Sequence, residues 1–161
     1  MFGKYKTNTI IAIIAIAIIS YNLFINTESD RKDKIAKLTN TWVNAVTVKN
    51  NPVAVADLFC INASLFGSAS KTYRTKDEIG QYFNFFAKIP GIRILDHKYN
   101  IQKVSDDVYI NSVIAKIIWN DLDKPNTVRL SFVYKDNCII HLHGSGLPEM
   151  NIDLKNTDFL N

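Results

Sequence analysis

Glycine, proline, histidine and cysteine are all scarce in this chain, with six, four, three and two copies among 161 residues. Each scarcity closes off some chemistry. No glycine-rich loop is present to cradle phosphates, and no kinase motif accompanies one. The histidines, His97, His141 and His143, fall short of the ligand count of a metal centre unless scattered carboxylates join them, so no metal and no cofactor is expected. No nucleophile-elbow pattern appears, so Ser145, His141 and Asp96 make a hydrolytic triad only on paper. The net charge of +4 has no basic block and no arginine-aromatic interleaving behind it, which argues against nucleic acid as a partner. The surplus lysine reads as solubility. There is no internal repeat and no low-complexity tract. Cys60 and Cys138 are expected as small buried hydrophobes, with pairing in an oxidising compartment as the alternative.

What the chain has in excess is isoleucine. The 47% hydrophobic content is inflated by Ile10 to Ile25, an apolar run softened only by Ser20, Tyr21 and Asn22. Spanning about 30 Å of hydrocarbon takes about 20 helical residues, which Thr7 to Asn26 would supply. Residues 1–27 are therefore expected to be a signal anchor or a signal peptide. No Ala-x-Ala-like site follows, which favours the uncleaved anchor and a single-pass membrane localisation, with a secreted chain as the alternative. Arg31, Lys32, Lys34 and Lys37 compete with Lys4 and Lys6 under the positive-inside rule, so orientation stays open. Residues 28–33 then read as a linker, 34–148 as one domain and 149–161 as a polar tail. The remainder is long enough for one core and too short for two.

Ile35, Leu38, Trp42, Ala45 and Val46 recur at three- and four-residue spacing, which predicts an amphipathic helix from about Asp30 to Val48 that buries Trp42. Asn50-Asn51-Pro52 ends it, and Pro52 opens a short helix through Phe59. Thr75 with Glu78 makes a capping box for a third helix whose buried stripe is Ile79, Tyr82, Phe83 and Phe86. After Ile89-Pro90-Gly91 the period changes. Arg93 to Val104, Val108 to Trp119, Val128 to Lys135 and Cys138 to Ser145 are rich in β-branched and aromatic residues and read as strands. Helices followed by a strand meander give an α+β class with an antiparallel sheet. In the strand from Val108, one face shows Val108, Ile110, Ile114 and Ile118, and the other Val113, Ala115, Ile117 and Trp119. A sheet apolar on both faces needs a second cover. Three helices cover one face, and a second copy of the chain is the economical cover for the other, so at least a homodimer is expected.

The last strand, Ile139-Ile140-His141-Leu142-His143-Gly144-Ser145-Gly146-Leu147-Pro148, puts His141, His143 and Ser145 on one face and stops at Gly-Leu-Pro. This ending resembles the last strand of the calcium/calmodulin-dependent kinase II association domain and its SnoaL-like relatives, where a histidine-rich strand runs into Ser-x-x-Pro. Trp42, Ala45 and Ala56-Asp57-Leu58-Phe59 look like the first two helices of that family, and Asn62-Ala63-Ser64-Leu65-Phe66 looks like its first strand. Arg74-Thr75-Lys76-Asp77-Glu78-Ile79, with Tyr82-Phe83 and Phe86, resembles its R-T-x-x-E-I-x-x-Y-F-x-x-F helix. Val128 to Tyr134 resembles its penultimate strand. The likeness covers roughly Lys34 to Pro148. It implies a nuclear transport factor 2-like cone, three N-terminal helices on a curved sheet, and no single reaction. A polar cluster at the cone's mouth is expected from His141, His143 and Arg129, joined by Arg74 or Tyr82, with Arg129 offering a planar fork of donors to an anionic group. The other reading of the histidines is structural bonding or a subunit interface. Leu142 and Gly144 replace polar residues usual around the terminal motif and lighten the cluster.

The expected function is self-association with binding of a small anionic or apolar ligand, without catalysis. The alternative is a SnoaL-like isomerase, cyclase or hydrolase acting on an apolar substrate. For such chemistry Asp96 with Tyr99, or Tyr73 with Tyr109, have suitable residue types for an acid and a base.

Overall fold

The computed structural model describes the backbone of residues 3–68 and 70–146, and their side chains from Ile13 onward except that of Asn26. Pro148 and the tail 149–161 lie outside the described residues. Helix α1 (Gly3–Thr47) leads to α2 (Pro52–Asp57), strand β1 (Phe59–Phe66), the short strand β2 (Arg74–Thr75) and helix α3 (Lys76–Phe86). Strands β3 (Arg93–Lys103), β4 (Val108–Ile118), β5 (Asn126–Lys135) and β6 (Cys138–Gly146) follow. All six strands form one sheet in the order β2-β1-β6-β5-β4-β3. Only β1 and β6 run parallel; every other neighbouring pair is antiparallel. The α+β architecture read from the sequence is the one observed.

Local chemistry sets the helix ends. Asn50 adopts a left-handed conformation with φ 45°, which asparagine tolerates better than most residues and which stops α1. Asn51 then caps α2, its side-chain oxygen accepting from the Ala54 N–H at 3.0 Å, with Pro52 in the first turn where no N–H is missed. At α3 the Glu78 carboxylate accepts from the Thr75 backbone N–H at 2.9 Å and its hydroxyl at 3.0 Å. Those two bonds, ahead of nearby Arg74, hold the Glu78 pKa below the ordinary value.

The core lies between α1, α3 and the inner face of the sheet. Trp42 is its centre, edge-on to Phe83 at 5.6 Å and to Phe132 at 5.1 Å. Deeper along α1, the buried Thr39 hydroxyl bonds the Ile35 carbonyl at 3.0 Å, the Tyr134 hydroxyl at 2.8 Å and the Asn111 amide at 2.8 Å. Burial raises the Tyr134 pKa, against the lowering effect of its bond with Thr39.

Four expectations are corrected. Among the described residues no helix is long and apolar enough to cross a membrane, so the structure does not show the single-pass anchor. The apolar side chains described, Ile13 to Ile25, cover roughly 20 Å at about 1.5 Å per residue, short of about 30 Å of hydrocarbon. The helix also continues without a break through 28–33, where a linker was expected, and Glu28 pairs with Lys32 at 2.9 Å one turn on. The cysteines are not separate thiols. Cys60 and Cys138 form a disulfide, because the parallel pairing of β1 with β6 brings their Cα atoms to 5.2 Å. Finally, the outer face of β4 is not uniformly apolar, since Ser112 and Lys116 alternate with Ile110 and Ile114 there.

Candidate functional site

Two places gather the residues that could carry function, one inside the cone and one on the outer face of the sheet. The inner one is a cavity of about 50 Å³ walled by Trp42, Val46, Tyr82, Phe83, Phe86, Leu130 and Leu142 among others. Its walls follow from the period-two pattern of the strands. Leu142 and Gly144 of β6 and Leu130 of β5 point inward, while the residues between them point out. Gly144 keeps the floor open, since a Cβ there would sit 3.2 Å from Leu130 Cδ2. Gly67 has a similar role at the rim. A Cβ at Gly67 would fall 2.1 Å from the Tyr82 hydroxyl, so the phenol can lie over the chain only where no side chain stands.

Beside the cavity, a cleft of about 900 Å³ runs along Phe85, Pro90, Trp119 and Leu122. Ser68, Phe86, Ile92, Ile117 and Val128 wall both spaces. Among the described residues, no carboxylate, histidine, lysine, arginine or cysteine lines the inner cavity. Its polar groups are the indole of Trp42, the phenol of Tyr82 and the hydroxyls of Thr47 and Ser68. The Thr47 hydroxyl already donates to the Val43 carbonyl at 2.8 Å.

The residues singled out in the sequence divide between the two places. His141 and His143 share one face of β6, but it is the outer face. His141 sits opposite Ser64 of β1 and Val133 of β5, and His143 opposite Phe66 and Ser131. Ser64 Oγ lies 2.8 Å from His141 Nδ1. The Tyr73 ring is 6.5 Å from His141 and 4.9 Å from Phe66, which is 5.5 Å from His143. Burial, and then the neighbouring His143, lower the His141 pKa and favour its neutral form. Arg129 is exposed on the same outer face, opposite Ser145 and Ile114, in a shallow groove with Lys98, Asn100 and Ser131. Tyr82 belongs to the inner cavity. Arg74 stands at the β2 edge, its guanidinium 3.8 Å from Glu78, in a surface depression that Tyr82 also lines. The structure thus joins Arg129 with the histidines on one face and places Tyr82 on the other side of the sheet.

The acid-base pairs drawn from the sequence do not line the cavity either. Asp96 is exposed, Tyr73 and Tyr99 are 67% and 46% exposed, and Tyr109 is buried outside the cavity walls. Sequence reasoning passed over the inward apolar residues Leu130, Leu142 and Phe83 as a site. Their signal was the same alternation that marked the strands, taken there as core packing alone.

No family model matches the chain, and no curated protein sequence matches it. Solved structures do. A Xanthomonas campestris protein assigned as a calcium/calmodulin-dependent protein kinase II association domain superposes with a TM-score of 0.61 at 25% identity, over 72% of this chain and 87% of that one. The chain has a nuclear transport factor 2-like fold. A Streptomyces avermitilis protein of the NTF2-like family assigned as a dehydratase gives a TM-score of 0.66 at 9% identity, over 74% of this chain and 98% of its own. The orange carotenoid protein of Anabaena, solved with canthaxanthin, gives 0.59 at 15% identity, over 68% of this chain and 36% of that longer one. In the NTF2-like cone described here the inner cavity lies under α3 and the histidines lie on the opposite side of the sheet.

Proposed function

We propose that this NTF2-like domain is a non-catalytic, self-associating module that holds a small apolar ligand in its cone. The carrying observation is the make-up of the cavity. A general acid or base must reach the proton it moves, and among the described residues the cavity walls hold no carboxylate, imidazole or amine, with the Tyr82 phenol as the only titratable side chain. Apolar walls joined to a wider cleft suit an apolar molecule held by burial. Among the described residues, an isomerase, cyclase or hydrolase confined to the cavity would have to rely on Tyr82 alone, since Lys88 and Asp121 line only the outer cleft.

Self-association is supported by the likeness to an association domain and by the outer face of the sheet. There Ile114 is 57% exposed in the single chain, with Ile110 four residues away on the same strand and Val133 of β5 paired with Ile110. Arg129, His141 and His143 lie on this face, where a partner's sheet would cover them. Arg74 is a further candidate contact at its edge.

The test is light scattering coupled to size exclusion on the full chain, with Ile114→Glu alongside. A dimer or larger assembly that Ile114→Glu breaks into folded monomers supports the reading, and a monomeric wild type overturns the self-association half. Turnover of an apolar substrate that Tyr82→Phe abolishes would overturn the non-catalytic half.

A further inference from the structure

Strands β3 to β6 hold six lysines and arginines and a single carboxylate, Asp96. Three of those cations stand against acids. Lys103 pairs with Asp106 at 2.9 Å and Lys135 with Asp107 at 3.7 Å, while Lys116 lies opposite Asp96 across β3 and β4. Arg93 is at the far end of β3, opposite Ile118. Lys98 and Arg129 differ from all of these. Among the described residues neither makes a hydrogen bond or an ion pair, and the two flank one residue, Ile114, as its partners on β3 and β5.

Opposed residues in a sheet hold their Cβ atoms about 5 Å apart, so these two cations start about 10 Å apart and their long side chains can meet over Ile114. In the next row of the same face Asn100, Ser112 and Ser131 lie side by side. All five polar residues line one groove of about 390 Å³. In the single chain both charges are exposed to water and need no partner. Self-association changes that. A second copy covering Ile114, as proposed above, brings its own Lys98 and Arg129 to the same seam, and four cations meet where neither copy's β4, β5 or β6 supplies a carboxylate. Like charges facing each other across an interface oppose association, and each one taken from water unpaired adds a desolvation cost.

We infer that the sheet-to-sheet assembly takes up a divalent oxyanion, phosphate or sulfate, in the groove between Lys98 and Arg129, and that the ion joins the two copies. The groove has the donors for it. Arg129 offers two parallel N–H groups and Lys98 a mobile charge, while the Ser112 and Ser131 hydroxyls and the Asn100 amide can donate to the remaining oxygens. A tetrahedral anion turns oxygens toward both sheets at once. Chloride brings half the charge and no directed acceptors. Enclosure between two sheets admits a free anion and excludes a phosphate carried on a lipid or a polymer. The inference rests on the outer face being the self-association surface.

The test follows dimer dissociation of the full chain by light scattering over a dilution series. The buffer is mildly alkaline, where histidine is uncharged, and contains either millimolar phosphate or chloride at equal ionic strength. Association is expected to be about tenfold tighter in phosphate, with sulfate acting alike. Lys98→Gln combined with Arg129→Gln removes the repulsion, and this variant should associate equally in both salts. Both positions are exposed, so the core is untouched. Equal association of the wild type in phosphate and chloride overturns the inference and leaves self-association standing. A phosphate effect undiminished in the double variant also overturns it, since that effect then comes from general exclusion of the salt from protein surface. A wild type that stays monomeric in every buffer removes the self-association reading and the inference with it.

Discussion

Ser64 Oγ and His141 Nδ1 lie 2.8 Å apart across the parallel strands β1 and β6. The bond fixes the imidazole against the sheet and leaves Nε2 as its outward nitrogen. Because burial and His143 favour the neutral ring, protonation opposes the folded state. The folded chain binds fewer protons than the unfolded one between the lowered pKa and the ordinary 6.5, so stability rises with pH across that window. It is complete above about 6.5 and is lost as pH falls through the folded value.

Melting temperature measured from pH 7.5 down to 5.5 is therefore expected to fall in the wild type. The slope should flatten in His141→Asn and lessen in His143→Asn. An unchanged slope in both variants would locate the titration elsewhere.

The Cys60–Cys138 disulfide closes a loop of sequence separation 78. Loop-closure arguments put its contribution near about 4 kcal/mol. Adding a reductant, or replacing both cysteines by serine, should lower the denaturant midpoint accordingly. Equal midpoints with and without reductant would show that the parallel β1–β6 pairing stands without it.

Thr39 is the hub of the buried polar network, and Asn111 Oδ1 already lacks a partner among the described residues. Thr39→Val should cost about 1–3 kcal/mol by stranding the Asn111 amide and the Tyr134 phenol as well. Adding Asn111→Leu should cost less than the sum of the two single changes. Strict additivity in urea unfolding would argue against the network.

Gly67→Ala should destabilise by about 1–3 kcal/mol, since its methyl would displace the Tyr82 ring. Tyr82→Ala made in the Gly67→Ala background should then cost little beyond the first substitution. The double-mutant cycle in chemical denaturation reads this coupling directly.

Much of the fold was legible because its signals are local. The Thr75 and Glu78 cap, the Pro52 helix start and the four period-two strands after Gly91 each announce themselves within a dozen residues, and the structure places them close to where they were read. The resemblance of the segments around Tyr82 and His141 then supplied their order in the cone. What stayed hidden depends on pairing across the whole chain. No local pattern says that β1 lies beside β6, and without that neither the disulfide nor the Ser64–His141 bond can be seen. The site was half legible for the same reason. Alternation put His141 and His143 on one face of a strand, but which face meets the helices depends on where Leu142 and Gly144 pack. In α1 the apolar run was read correctly as a helix, while its meaning as a membrane span was not upheld by the described residues.

Strand β6 is the last element described, and it separates the β1–β2 pair from the β5–β4–β3 meander. Every hydrogen bond joining these two parts of the sheet runs through it. During synthesis the first part leaves the ribosome with β1 as an open edge, and the meander forms later with β5 as another. The sheet closes only when residues 138–146 arrive between them, so it cannot be completed until β6 has been made. A chain truncated before β6 would carry two unsatisfied strand edges at once, each able to pair with another chain.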